Sequence, residues 1–123
     1  MSARMEKVIG VRLASAKDLV RLAASSAASG QSIFILRMRH GDSMIYGVLA
    51  VFRDFFKLYG VPLLYYFVDD AGEIPTEANY ASLKVDSDVE TIKFGIGAEA
   101  GYISIPIINL ERPPEFLNLE ELL

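Results

Sequence analysis

Ile45, Val48, Leu49, Phe52, Phe55, Phe56 and Tyr59 recur at i, i+3, i+4 and i+7 spacing. No other pattern in the chain constrains the fold as tightly, because it fixes what joins the second and third strands. The spacing predicts a helix over 43–59. Asp42 or Ser43 can cap its start, and Gly60 and Pro62 mark its end. Gly47 falls inside it, at a cost of about 1 kcal/mol relative to alanine. The competing reading takes "MIYGVLAVF" as the second arm of a β-hairpin begun by "SIFILRMR" at 32–39.

The flanking segments read more simply. "KVIGVRLA" (7–14) is an apolar, β-branched run that predicts a strand. Ser15 with Asp18 three residues on resembles a capping box, and Leu19, Val20, Leu22, Ala23, Ala27 and Ala28 follow at helical spacing. Gly30 stops that helix, placed at about 16–29. In the strand at 32–39, Ile33 and Ile35 point one way and Phe34, Leu36 and Met38 the other. Both faces are apolar, as in a strand covered on both sides. "VPLLYYFV" (61–68) predicts a third strand, ended by "DDAGE". Residues 75–90 are polar and mixed, a loop with a short strand near Ser82–Val85. "TIKFGIG" (91–97) and "YISIPIINL" (102–110) predict a closing hairpin, and "EFLNLEELL" a docking helix at about 115–122.

The expected architecture is α/β, ordered β-α-β-α-β and then a β-hairpin, with helices packed on a mixed sheet. The alternative is α+β, with an antiparallel sheet and a 32–52 hairpin. No repeat, linker or low-complexity tract interrupts the 123 residues, so a single domain over 1–123 is expected.

Three glycines in "FGIGAEAGY" (94–102) raise the question of a phosphate loop. Such loops work when a helix follows them and aims its N–H groups at the anion. Here "YISIPII" follows, which is strand material, and Glu99 places a negative charge in the loop. The stretch therefore reads as a hairpin turn in which Gly101 takes a positive φ. Gly95 and Gly97 mark a bulge or a close backbone approach.

If the first strands are parallel, ligands belong beyond their carboxyl ends. "RHGDS" and "DDAGE" lie there. They offer His40, Asp42, Asp69 and Asp70 as candidate catalytic groups, with Ser43 at a helix N-terminus. The bland reading makes Asp42 and Ser43 capping residues and 69–72 a turn. Arg37 and Arg39 share a strand face and can clamp a carboxylate or phosphate, or simply reach solvent. One histidine and no cysteine make thin material for a metal site, so neither metal nor cofactor is expected.

Charge is split along the chain. Residues 1–60 carry nine Lys/Arg and four Asp/Glu, and residues 61–123 carry three and twelve. Either the halves form opposite faces or they interleave and mix, and mixing is expected. The overall charge of −4 argues against nucleic acid as a partner. No apolar run approaches the roughly twenty residues of a membrane span, and no secretory signal opens the chain. With no cysteine, a cytoplasmic, soluble protein is expected.

The aromatic content of 52–67 exceeds what a small core hides, which points to a dimer interface through Phe52, Phe56 and Tyr59. Leu117, Leu119 and Leu122 of the tail offer a second docking surface for this domain or for a neighbour. The expected function is non-catalytic: a binding domain that self-associates and takes a partner protein or small ligand. The alternatives are a small hydrolase or transferase using His40 with Asp42, Asp69 or Asp70, and an anion or nucleic-acid binder using Arg37 and Arg39.

Overall fold

A computed structural model describes residues 10–54, 57–61 and 64–111. The expected terminal helix at 115–122, with Leu117, Leu119 and Leu122, lies outside these residues, as does Phe56. Among the described residues eight strands and one helix follow in the order β1 (Val11–Arg12), α1 (Ala16–Ala28), β2 (Ser32–His40), β3 (Ser43–Asp54), β4 (Lys57–Val61), β5 (Tyr65–Asp69), β6 (Tyr80–Asp86), β7 (Val89–Gly95) and β8 (Ile103–Leu110). The strands form one mixed sheet ordered β1-β5-β3-β2-β8-β6-β7, with β4 paired to the far end of β3. The sheet curls into a half-barrel, and α1 packs on its inner face against β2, β3, β5, β6 and β8. Among the described residues no helix is long and apolar enough to cross a membrane.

The first helix forms as its sequence predicts. Ser15 is extended at the N-cap, and its side chain accepts from the Asp18 amide. Leu19, Val20, Ala23 and Ala24 are buried against Ile33, Ile35, Tyr46, Phe67, Ile105 and Ile107 of the sheet. The helix–sheet seam is built from small and branched residues, so the helix sits close to the strands.

The second helix does not exist. Residues 43–54 are extended and run antiparallel to β2 from His40↔Ser43 to Ser32↔Val51. Among the described residues the chain is mostly β with one helix, not β-α-β-α-β. The hairpin alternative is the one realised, although β1 on β5 and β2 on β8 pair in parallel, so the sheet is mixed and not antiparallel. The physical reason lies in the run itself. Almost every residue from Met44 to Phe52 is apolar, so the segment satisfies a period of two as well as a period of 3.6. Met44, Tyr46, Val48 and Ala50 face the helix, while Ile45, Leu49 and Val51 join the opposite face. Gly41 at φ +61° begins the two-residue turn, a glycine placement that hairpins favour.

The closing hairpin is also corrected. β7 and β8 are not neighbours; β6 lies between them and pairs antiparallel with both. The true hairpin is β6–β7, turning through Ser87 and Asp88 at φ 50° and 69°. Residues 96–102 cross from β7 to β8. They are anchored by Gly97 N–H on Asn79 Oδ1 (2.9 Å) and Glu99 N–H on Ser104 Oγ (3.0 Å). Gly97 and Gly101 take φ near +82° and +81° there. The glycine stretch is therefore a crossover strap, neither hairpin tip nor phosphate loop.

The two charged halves interleave in part. β5, from residues 61–123, lies between β1 and β3 of residues 1–60, whereas β8, β6 and β7 form a flank of their own. Arg21 of α1 bridges the flanks, its Nε 2.7 Å from Glu90 Oε1.

Candidate functional site

The residues expected beyond strands two and three share one end of the sheet, but they do not ring a crevice. β3 threads between β2 and β5, with His40 opposite Ser43 and Met44 opposite Asp69. Alternation then divides the candidates between two faces. Arg37, Arg39 and Asp69 belong to the helix-facing side, and His40, Ser43 and Asp70 to the other.

On the inner side the charged groups are structural. Arg37 is 2% exposed. Its Nε donates to Asn109 Oδ1 (2.6 Å) and its Nη1 to the Pro75 carbonyl (3.4 Å). Asp69 is 5% exposed and accepts from the Glu73 and Ile74 amides, both at 2.9 Å. Together they tie down the 70–79 loop, in which Ile74 and Ala78 are buried and Ile74 joins the core between α1 and the sheet. Both carboxylate oxygens of Asp69 are thus engaged, and Arg37 is turned away from solvent. Arg39 is exposed on the same strand, so the two arginines do not present one clamp.

Between Arg37 and Asp69 lies Tyr46, fully buried. Its hydroxyl makes no hydrogen bond of good geometry among the described residues, although the Arg37 guanidinium lies close enough to act on it as a weak donor. The Arg37 guanidinium sits 5.8 Å from the ring centroid. Burial pushes the phenol pKa above its ordinary value; Arg37 opposes the rise and the Asp69 carboxylate adds to it.

On the outer side, Ser43 Oγ donates to Asp70 Oδ1, and Asp70 also faces Arg12 at 4.0 Å. His40 stands on the far side of Ser43, two strand spacings or about 10 Å from the Asp70 backbone. Nucleophile activation needs the base on the hydroxyl and an acid behind the base. Here the serine lies in the middle and is bonded to the carboxylate. Asp42 is an exposed residue of the β2–β3 turn. Among the described residues no three metal-ligating side chains converge.

The sequence reading missed a groove beside α1. Leu22, Ser26 and Gln31 form one wall; Val48, Ala50, Phe52, Leu64 and Tyr65 form the other and the floor. Its volume is about 190 Å³, below the roughly 300–1,000 Å³ of ordinary small-molecule pockets. The cause is local: small residues fill the last turns of α1, so the helix stops short of covering Phe52 and Tyr65. Tyr59 stands opposite Phe52, and Val11 opposite Tyr65, on the same face. Tyr59 is 47% exposed and Leu64 56%. A sequence signal existed in the Ser25–Ser26–Ala27–Ala28 end of the helix, but it acquires meaning only once β3 is a strand.

Comparisons with protein-family models, curated proteins and solved structures find no match.

Proposed function

We propose that this chain is a non-catalytic binding domain that self-associates, as a dimer, through the apolar surface around the groove beside α1. One observation carries the reading: a groove of about 190 Å³ opens among exposed Val11, Tyr59, Leu64 and Tyr65. That volume suits one or two inserted side chains better than a whole small ligand. Aromatic and leucine side chains at the rim are the kind that fill such a groove on a second copy. The engaged states of Arg37, Asp69 and Ser43 weigh against the anion-binding and hydrolase alternatives.

Sedimentation velocity at micromolar concentration tests this. The wild-type chain is expected to sediment as a dimer, and a Tyr59→Glu/Leu64→Glu variant as a monomer with an unchanged circular dichroism spectrum. Both positions are exposed, so the substitutions leave the core intact. A wild-type monomer, or a dimer indifferent to both charges, defeats the proposal.

A further inference from the structure

β7 ends the sheet and, among the described residues, pairs with β6 alone. The two-residue turn at Ser87 and Asp88 closes on Asp86↔Val89 as a hydrogen-bonded pair. On the other side of β6 the Asn79 carbonyl accepts from the Ile107 N–H (2.8 Å), which fixes the same phase. Tyr80, Ser82 and Lys84 therefore bond β7 through Gly95, Lys93 and Thr91. Glu90, Ile92 and Phe94 aim their N–H and C=O groups out of the edge. Their side chains share the α1 face, since Ile92 and Phe94 pack against the core there. An edge of this kind templates another strand unless proline, a bulge, charge or a cover blunts it. β7 has no proline and pairs with β6 in unbroken register. Its lysine, Lys93, is drawn aside to Glu99 (2.9 Å) and the Tyr102 ring.

A second groove lies beside that edge. Lys17 and Arg21 of α1 form one wall, and Glu90, Thr91 and Ile92 form the other, around about 280 Å³. The lining holds two cations and one carboxylate, on a chain whose net charge is −4. Arg21 Nε already neutralises Glu90 at 2.7 Å, and exposed Lys17 makes no ion pair among the described residues. We propose that the β7 edge takes an acidic, extended segment of a partner protein as an added strand, its carboxylates in the groove against Lys17 and Arg21. Every second side chain of such a strand shares the face of Ile92 and enters the groove. The ladder holds any extended backbone, and the cations select for acid. A second copy of β7 fits less well. The antiparallel register that uses every outward group sets Ile92 against its own counterpart and Glu90 against Phe94, which leaves Lys17 without a carboxylate. The inference is independent of the dimer reading, because β7 and the Tyr59–Leu64 surface lie towards opposite ends of the strand order.

The test uses three capped seven-residue peptides, titrated to millimolar concentration into the isotope-labelled full chain and read by amide NMR. One alternates threonine with glutamate, one alternates threonine with lysine, and the third is the glutamate peptide N-methylated throughout. With the glutamate peptide the Glu90, Ile92 and Phe94 amides are expected to shift and to exchange with solvent about tenfold more slowly. Thr91 and Lys93, already bonded to β6, should keep their exchange rates. The lysine and N-methylated peptides should leave all five unchanged. Lys17→Glu should weaken glutamate-peptide binding about tenfold with an unchanged circular dichroism spectrum. The Tyr59→Glu/Leu64→Glu variant should bind that peptide as wild type does, so failure of the dimer and failure of this site are read separately. No response at β7, equal binding of the lysine or the N-methylated peptide, or indifference to Lys17→Glu overturns the proposal.

Discussion

Tyr46→Phe should stabilise the protein, and more so in alkali. The Tyr46 ring is fully buried between α1 and the sheet, and its hydroxyl makes no hydrogen bond of good geometry among the described residues, Arg37 being at best a weak donor to it. Burying an unpaired hydroxyl costs about 1–3 kcal/mol. Phenylalanine keeps the ring and its contact with the Arg37 guanidinium, so about 1 kcal/mol should be gained at pH 7. For a chain of this length that is a rise of about 4 °C in Tm. The pH dependence sharpens the claim. Burial raises the Tyr46 pKa above its ordinary value, so above about pH 10 the unfolded chain sheds a proton that the folded chain retains. A group with a raised folded pKa contributes its full stability below the unfolded value and loses it as pH climbs towards the folded one. Wild type therefore loses up to about 1.4 kcal/mol per pH unit in that window through this residue alone, and the variant does not. Urea denaturation followed by circular dichroism at pH 7, 9 and 10.5 reads both effects; other titrations cancel in the difference. A variant less stable than wild type by more than about 0.5 kcal/mol at pH 7, or a gap that fails to widen above pH 10, would show that the hydroxyl is satisfied after all.

Other substitutions probe the remaining arguments. Asp69→Ala strips acceptors from the Glu73 and Ile74 amides and should cost about 2–3 kcal/mol in urea unfolding, with Asp69→Asn recovering part of it. Ser87→Asn with Asp88→Gly replaces two residues held at positive φ by the pair that such turns favour; Tm should rise, by the equivalent of about 0.5–1 kcal/mol. Gly10→Ala should destabilise by about 2 kcal/mol, because a β-carbon there would collide with the Leu64 backbone that β1 pairs beside. Leu36→Ala should cost about 3 kcal/mol, as for a core leucine; a loss under about 1 kcal/mol would mean that the outer face is open.

How much of this was legible depends on where the deciding interaction lies. The Ser15 cap, the α1 stripe and the two apolar faces of β2 are written within a few residues of themselves, and all are found. β3 was misread because a run apolar at nearly every position carries no phase; only the partner strands at Ser32–His40 and Tyr65–Asp69 decide it. Gly47 was the local dissent, costly in a helix and harmless opposite Leu36. β6 was under-read because only Ala81, Ser82 and Leu83 are buried in its central part, and its tip is polar. The strap 96–102 is unreadable locally, since Asn79, Lys93 and Ser104 hold it from other elements.

The extended state of β3 also relocates the proposed function. A helix over 43–59 would have left His40, Asp42, Asp69 and Asp70 ringing a crevice at the ends of parallel strands. A strand in that place joins the same ends into a continuous ladder, and their polar side chains are spent on it: Asp69 on two amides, Ser43 on Asp70, Arg37 on Asn109 and Pro75. What the strand creates instead is an apolar floor, Val48 to Phe52, that is longer than α1 can cover. A 13-residue helix spans about 20 Å, while 12 residues of β3 extend about 40 Å. The mismatch leaves the far end of β3 beyond the helix's reach, and β4 extends the sheet there with Tyr59 beside Phe52. The proposed binding surface follows from that difference in rise per residue, which is why it sits at the opposite end of β3 from the polar residues that first drew attention.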